Sequence, residues 1–463
     1  MSKPRTLVLC FDGTADQYAG KNTNVVKLYS LLKKDDSEQL CYYQPGIGTY
    51  FNSGVVSPFF QWGAKILDQC VAWYLDAHVR GGYQFLMQNY HPGDKICLFG
   101  FSRGAYTARA LAGMLHKIGL LPRDNPEQIP FAYKLYKRTD ADSVELAAGF
   151  KQTFCRDVQI EFVGVWDTVA SVGTLVSRRL PFIANNTTIR TFRHALSLDE
   201  HRARFRPNLY HRPSPSSEAK ADRKENVTTP HEVDQEGSQK LHVRRASQMS
   251  LRQWTNLPSR AANLRWGADE EKTEEPAAGT DVLEVWFAGC HCDVGGSAVE
   301  DSVKLSLSHI TLRWMVRQIM LAQCGITFDD NALRRLNIPP SVVTGIEFPI
   351  TPPQVEKRPQ TSSSSGSDAE RPDTLDKMNA LQPLHDELYR RAFWWILEVL
   401  PMSYNWQEKS GKWRTSWCIH FAKGRHLPEH PSFHVTVKER MNDKALQYHP
   451  RAIWKSGTEV YVD

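Results

Sequence analysis

A serine held between a short apolar run and a long helical pattern constrains this chain more than any other feature. Ile96-Cys97-Leu98-Phe99 runs into Gly100-Phe101-Ser102-Arg103-Gly104, after which Ala108, Leu111, Ala112, Leu115 and Ile118 recur at helical spacing ahead of Pro122. This pattern predicts a strand, a sharp turn and a buried helix. Gly-x-Ser-x-Gly alone is a weak signal, because small residues gather in many turns. Between a strand and a helix it has the setting that an exposed nucleophile requires. The glycines let strand and helix approach each other on either side of the strained serine. The hydroxyl then stands above the carboxyl edge of the sheet, beside a helix N-terminus that favours developing negative charge. The plainer reading is a serine that caps the helix.

Similar apolar runs precede helical patterns elsewhere: Thr6 to Phe11, Leu40 to Gln44, Lys95 to Phe101, Gln159 to Trp166 and Val282 to Ala288. Helices are expected at Asn24 to Lys33, Ala64 to Tyr90 with an interruption at Gly81-Gly82, Val303 to Gln323 and Leu384 to Leu400. Strands alternating with helices predict the α/β class with a mostly parallel, doubly wound sheet covered by helices on both faces. Thr6 to Phe11 reads as the first strand and not as a signal peptide, and no run reaches the roughly 18 apolar residues of a membrane span.

A serine hydroxyl is a poor nucleophile until a base takes its proton, so a histidine and an orienting carboxylate are sought at later strand ends. Asp167 follows Ile160 to Trp166, and His291 follows Val285-Trp286-Phe287-Ala288-Gly289. The order Ser102, Asp167, His291 is the one an α/β-hydrolase-like fold demands. Singly, Asp167 reads as a helix cap and His291 as a loop histidine. Asp293 is the second choice of acid, better placed to hold its own loop. The oxyanion donors are expected at the backbone of Arg103 and in the loop at Gly13 and Thr14. Cys290 and Cys292 flank His291 without zinc-site spacing, so no metal and no cofactor is expected. A phosphatase using Asp12 and magnesium is a rival reading that lacks its second aspartate, since Thr14 stands there.

Composition adds limits. The net charge of +6 comes without a dense basic stripe, which argues against nucleic acid as a partner. Nine cysteines, none in a C-x-x-C pair, read as reduced thiols in a cytoplasmic protein. Two stretches, about 213–280 and 351–378, are too polar to bury a core and are expected to be disordered. The domain reading is therefore a catalytic unit over 1–350, a linker over 351–378 and a helical C-terminal segment over 379–463. Arg244-Arg245-Ala246-Ser247 has the pattern of a basophilic kinase site. The apolar segment Val55 to Trp62 and the pair Trp394-Trp395 read as a lid, an acyl pocket or ordinary packing, with transient membrane contact in the first two cases.

Several blocks together resemble a known family: Phe11-Asp12-Gly13-Thr14, Asn22 to Leu28, Pro45 to Thr49, Leu98 to Arg109, Gly164 to Val169, His194 to Glu200 and Ala288 to Gly296. They are similar to the type VI secretion system phospholipase effectors (the Tle group) and to the bacterial and fungal α/β-hydrolase domains that share their catalytic region. Val435 to Met441 also looks like that family's closing helix. The chain departs from the family at Ala15-Asp16, Cys292 and Ser297, which bears on the pocket and leaves the triad residues in place. The resemblance implies a triad of Ser102, Asp167 and His291 and hydrolysis of glycerophospholipid esters. The expectation is thus a serine hydrolase acting on lipid or other carboxylic esters. Amide hydrolysis, or a catalytically silent scaffold whose insertions bind partners, is the alternative.

Overall fold

The computed structural model describes residues 4–13, 16, 18–46, 60–169, 180–183, 186–210, 279–339, 372–392, 394–407 and 413–463. Its centre is an eight-stranded parallel sheet. In chain order the strands are β1 (Thr6–Phe11), β2 (Gln39–Gln44), β3 (Lys95–Phe101), β4 (Ile160–Trp166), β5 (Ile189–Ser197) and β6 (Asp281–Phe287), followed by β9 (Ser432–His434) and β10 (Val460–Val462). A separate antiparallel hairpin is formed by β7 (Met402–Gln407) and β8 (Trp413–Cys418). Across the main sheet the order is β2-β1-β3-β4-β5-β6-β9-β10, reversing direction between β1 and β3. That reversal opens a crevice above the carboxyl ends of the strands, where ligand sites of such sheets lie.

Period-two alternation sends Leu7, Leu9 and Phe11 of β1 to one face and Val8 and Cys10 to the other. On the first face lie α2 (Phe60–Asn89), α3 (Arg103–Ile118), α4 (Ile129–Lys137) and α5 (Ala141–Phe154). On the second lie α1 (Asn24–Leu31), α6 (His291–Gly295), α7 (Leu307–Ala322) and α8 (Asp330–Arg335). Because both faces are covered, β1 and β3 are apolar along most of their length, whereas β5 carries the buried polar residues Arg193 and His194. This is the doubly wound α/β architecture expected from the alternation of strands and helices. Among the described residues no helix is long and apolar enough to cross a membrane.

Several boundaries differ from the sequence expectation. Gly81-Gly82 does not interrupt α2; a Cβ on Gly82 would meet the Phe11 ring at 2.8 Å and Leu111 at 3.0 Å, so the glycine lets the helix lie close to the sheet and α3. Residues 351–371 lie outside the described residues, but 372–378, expected to be disordered, belong to α9 (Pro372–Ala380). That helix is fixed to α7 by Arg313, which donates to Asp376, and by Asn379, which accepts from Ser306 N–H at the start of α7. The single helix expected over 384–400 is two short ones, α10 (Glu387–Arg390) and α11 (Trp394–Glu398), with Arg391 extended between them. Residues about this break reach into the catalytic layer, as described below.

The C-terminal stretch, expected to be helical, does contain α12 (Val435–Asn442), and it also adds β9 and β10 to the main sheet. It docks through Phe433, Val437, Tyr448 and Ala452 onto Leu196, Leu198 and Trp286. Most of the 213–280 insertion with Ser247, and Val55 to Phe59 of the apolar segment, lie outside the described residues.

Phe433 is fully buried, whereas Phe131 on α4 is 47% exposed. Phe433→Ala is expected to lower the stability of the whole chain by about 3–5 kcal/mol in urea unfolding. Phe131→Ala should stay within about 0.5 kcal/mol of the parent. Equal effects of the two would contradict the docking of the C-terminal segment onto β5 and β6.

Candidate active site

Ser102 occupies the turn between β3 and α3 with φ +58° and ψ −118°, a region that a residue with a side chain rarely adopts. Its neighbours explain how the turn closes. A Cβ on Gly100 would stand 2.5 Å from the carbonyl oxygen of Gly104, and one on Gly104 would stand 2.2 Å from that of Phe11. Ser102 N–H donates to Trp166 O at 3.0 Å, so the ladder between β3 and β4 runs to the edge of the turn. Its side chain makes no capping bond to α3, which removes the helix-cap reading.

Asp167 sits one residue past β4 with φ +39°, its N–H donating to Ala195 O on β5. It is fully buried. Its Oδ2 lies 2.5 Å from His291 Nδ1, and because an ionised carboxylate can only accept, the histidine carries its proton on Nδ1. Oδ1 accepts from Ser197 N–H at 3.1 Å. Arg425 completes the set, donating from Nη1 to Oδ1 at 2.6 Å and from Nη2 to Oδ2 at 2.9 Å. Burial works against the charged carboxylate, but Arg425 and His291 outweigh it and hold Asp167 well below the usual carboxylate range.

His291 opens α6, whose start is fastened by Cys290 and Asp293: the Asp293 carboxylate accepts from Cys290 N–H at 3.0 Å. The imidazole lies between two rings, Phe101 at a centroid distance of 4.5 Å and Phe205 at 4.8 Å. Phe101 directly precedes Ser102, so the ring contact sets the histidine beside the residue before the serine, with no hydrogen bond joining Nε2 to Ser102 Oγ. Gly295 makes it fit, since a Cβ there would stand 1.8 Å from the Phe101 ring. With Nδ1 given to Asp167, Nε2 is the ring's lone-pair nitrogen, and it is buried without a hydrogen-bond partner among the described residues. Burial pushes the imidazole below the ordinary histidine range, against the hydrogen bond to Asp167.

Around the pair stands a layer that the sequence reading missed. Glu200 accepts from Arg202 Nε at 2.9 Å and Nη2 at 2.7 Å, and from His291 N–H at 3.3 Å. Arg202 lies over the Phe205 ring, and Trp394 meets that ring edge-on at 5.4 Å. The Trp394 segment, read as lid or packing, is thus one ring removed from His291. Asp293 faces away: it accepts from His385 Nδ1 and from His385 N–H, holding its own loop.

In the first loop, Gly13 N–H donates to Asp12 Oδ1 and Thr14 lies outside the described residues. Asp12 also accepts from Thr23 Oγ1 and Tyr43 Oη, both at 2.7 Å. Asp16, at one of the family departures, is pushed up to about 7 by burial and by the charge of Asp12, with Arg103 opposing. Cys290 Sγ lies against Asp199 O, and burial pushes the Cys292 thiol up to about 12. Among the described residues no group of three or more His, Cys, Asp or Glu side chains could hold a metal ion.

Comparison with known proteins agrees with the family resemblance. An uncharacterized protein of Saccharomyces cerevisiae is 29% identical over 544 residues, covering 95% of this chain and 79% of the yeast protein. A solved structure of an uncharacterized protein from Pseudomonas aeruginosa is similar over 74% of this chain and 50% of its own, at 18% identity and a TM-score of 0.35. The Tle1 effector bound to the VgrG spike of the type 6 secretion system is similar over 44% of this chain and 47% of its own, at 19% identity and a TM-score of 0.24. This chain therefore spans about half the length of either solved structure. Residues 5–318, well over half of the sequence, match the catalytic domain of Tle1-like type VI secretion phospholipase effectors, and the chain belongs to that family.

Proposed function

We propose that the chain is a serine hydrolase that cleaves carboxylic esters, the acyl esters of lipids or phospholipids foremost, through Ser102, His291 and Asp167. The observation that carries this reading is the buried hydrogen bond from His291 to Asp167, 2.5 Å long, in an imidazole whose Nε2 has no hydrogen-bond partner among the described residues and whose ring packs on Phe101, the residue before Ser102. Membership of a phospholipase effector family supports lipid esters as the substrate class.

The reaction uses only side-chain and backbone groups of the chain. Ser102 Oγ attacks the ester carbonyl while His291 Nε2 takes its proton, and Asp167 stabilises the imidazolium that forms. The oxygen of the tetrahedral intermediate is met by backbone N–H groups. Arg103, at the N-terminus of α3, and the loop at Gly13 and Thr14 are the proposed sources; because Gly13 N–H already donates to Asp12 Oδ1, the contribution of that loop falls to Thr14 or requires Asp12 to release Gly13. His291 then returns the proton to the leaving alcohol. In the second half, water gives a proton to His291 and its oxygen attacks the acyl-serine; His291 hands the proton back to Ser102 as the acid departs. The alcohol and the acid leave, and the enzyme is restored. Seven free cysteines among the described residues support a reducing, cytoplasmic setting, with contact to a lipid surface made during turnover.

Ser102→Ala is expected to reduce kcat on a short-chain ester by about 10⁶-fold without altering the thermal melt. Labelling of the parent by a fluorophosphonate should be lost in the same variant. Undiminished turnover by Ser102→Ala would end this reading, and a parent inert to both ester and probe would favour the silent scaffold.

The base must be neutral to act. Burial lowers the His291 pKa, so the neutral form persists to lower pH. The acidic limb of kcat/KM should consequently fall below the ordinary histidine value of about 6.5. A limb well above that value, measured on a neutral ester, would contradict the assignment of His291.

A further inference from the structure

The acid of the proposed triad is held by a residue from the far end of the chain. Arg425 lies beyond the 5–318 span matched by the family. Its side chain is 4% exposed and faces four oxygens: both carboxylate oxygens of Asp167, the carbonyl of Ser197 at 2.9 Å and the carbonyl of Phe205. The contact with Asp167 is bidentate, which a planar guanidinium can make and an ammonium cannot.

Its backbone is anchored too. Ile453 N–H donates to Arg425 O at 2.7 Å and Leu427 N–H to Ile453 O at 3.0 Å. Gly424 permits this approach, because a Cβ there would stand 1.8 Å from Arg451 O.

We propose that Arg425 is a positioning residue of the active site, which turns Oδ2 of Asp167 toward His291 and keeps that carboxylate ionised, so that the C-terminal segment is a working part of the catalytic unit. The proposal rests on the triad reading above. Its electrostatic consequence has a definite sign. A cation against Asp167 disfavours uptake of a proton by the Asp167–His291 pair, whichever member receives it. The other charged or titratable groups facing the pair are Glu200 and Arg202 on the segment after β5, which bind each other, and buried His194 on β5, which is bound to Glu284. Arg425 is the cation in direct contact with the acid.

The test is a pH titration of the full chain labelled with ¹⁵N-histidine, the His291 ring signals being assigned with His291→Gln. In Arg425→Gln the pair should take up its proton at a pH higher by about one unit or more. Methylguanidinium in the buffer should move the value back toward the parent. A folded Arg425→Gln chain whose His291 titrates as the parent overturns the proposal.

Should that variant fail to fold, Arg425→Lys decides. It keeps the charge and loses the fork, so the low-field Nδ1–H signal of His291 should broaden or move upfield while the melt stays near the parent's. An unchanged signal overturns the proposal. None of these readouts requires a substrate. A chain inert to esters and to fluorophosphonate would therefore sink the proposed function and leave the role of Arg425 measurable.

Discussion

A carboxylate with no access to water must be surrounded by donors or give up its charge. Asp167 meets that condition with four donors from three parts of the chain: the backbone of β5 at Ser197, the imidazole that opens α6, and the two terminal nitrogens of Arg425. Each depends on a larger piece of the fold. The parallel ladder sets the ends of β4 and β5 side by side, and the Cys290 and Asp293 contacts fix the start of α6. The additional sheet strands hold the C-terminal segment against β6.

The same segment braces the stretch 199–205, which supplies much of the wall around His291. Asp199 accepts from Tyr448 Oη and Arg451 N–H, His201 pairs with Asp386, and Glu398 accepts from Ala203 N–H. These contacts alternate along 199–205 with Glu200 and Arg202, which turn toward the site, and Phe205 packs on the imidazole itself. The break between α10 and α11 lies within this arrangement, in which His385 reaches Asp293, Asp386 reaches His201, Trp394 meets Phe205 and Glu398 accepts from Ala203 N–H. One wall of the histidine pocket is therefore braced by residues far outside the part of the chain that carries the recognisable motifs.

Local chemistry made the centre of the molecule legible from sequence. β1 and β3 are buried on both faces and read as apolar runs, β4 and β6 are apolar but for Glu161, Asp281 and Glu284, and the serine turn announces itself because its glycines are sterically required. β5 escaped that reading because Arg193 and His194 interrupt its apolar pattern. Both are buried, with their charge or polarity answered by Gln318 and Asp281 in one case and Glu284 in the other. Arg425 gave no signal at all: a lone arginine in a polar stretch reads as solvated until its partner, 258 residues earlier, is known. Buried ion pairs depend on tertiary contact and have no period, which is why the second layer of the site was invisible where the first was not.

That separation governs how the molecule comes into being during synthesis. Asp167 leaves the ribosome 258 residues ahead of Arg425, so over that stretch of translation the ends of β4 and β5 carry an acid whose counter-cation has not yet been made. A nascent chain can pair its central strands early. The carboxylate, however, must remain wet or protonated until the segment that carries Arg425, 258 residues further on, has emerged, so the finished geometry waits for that segment.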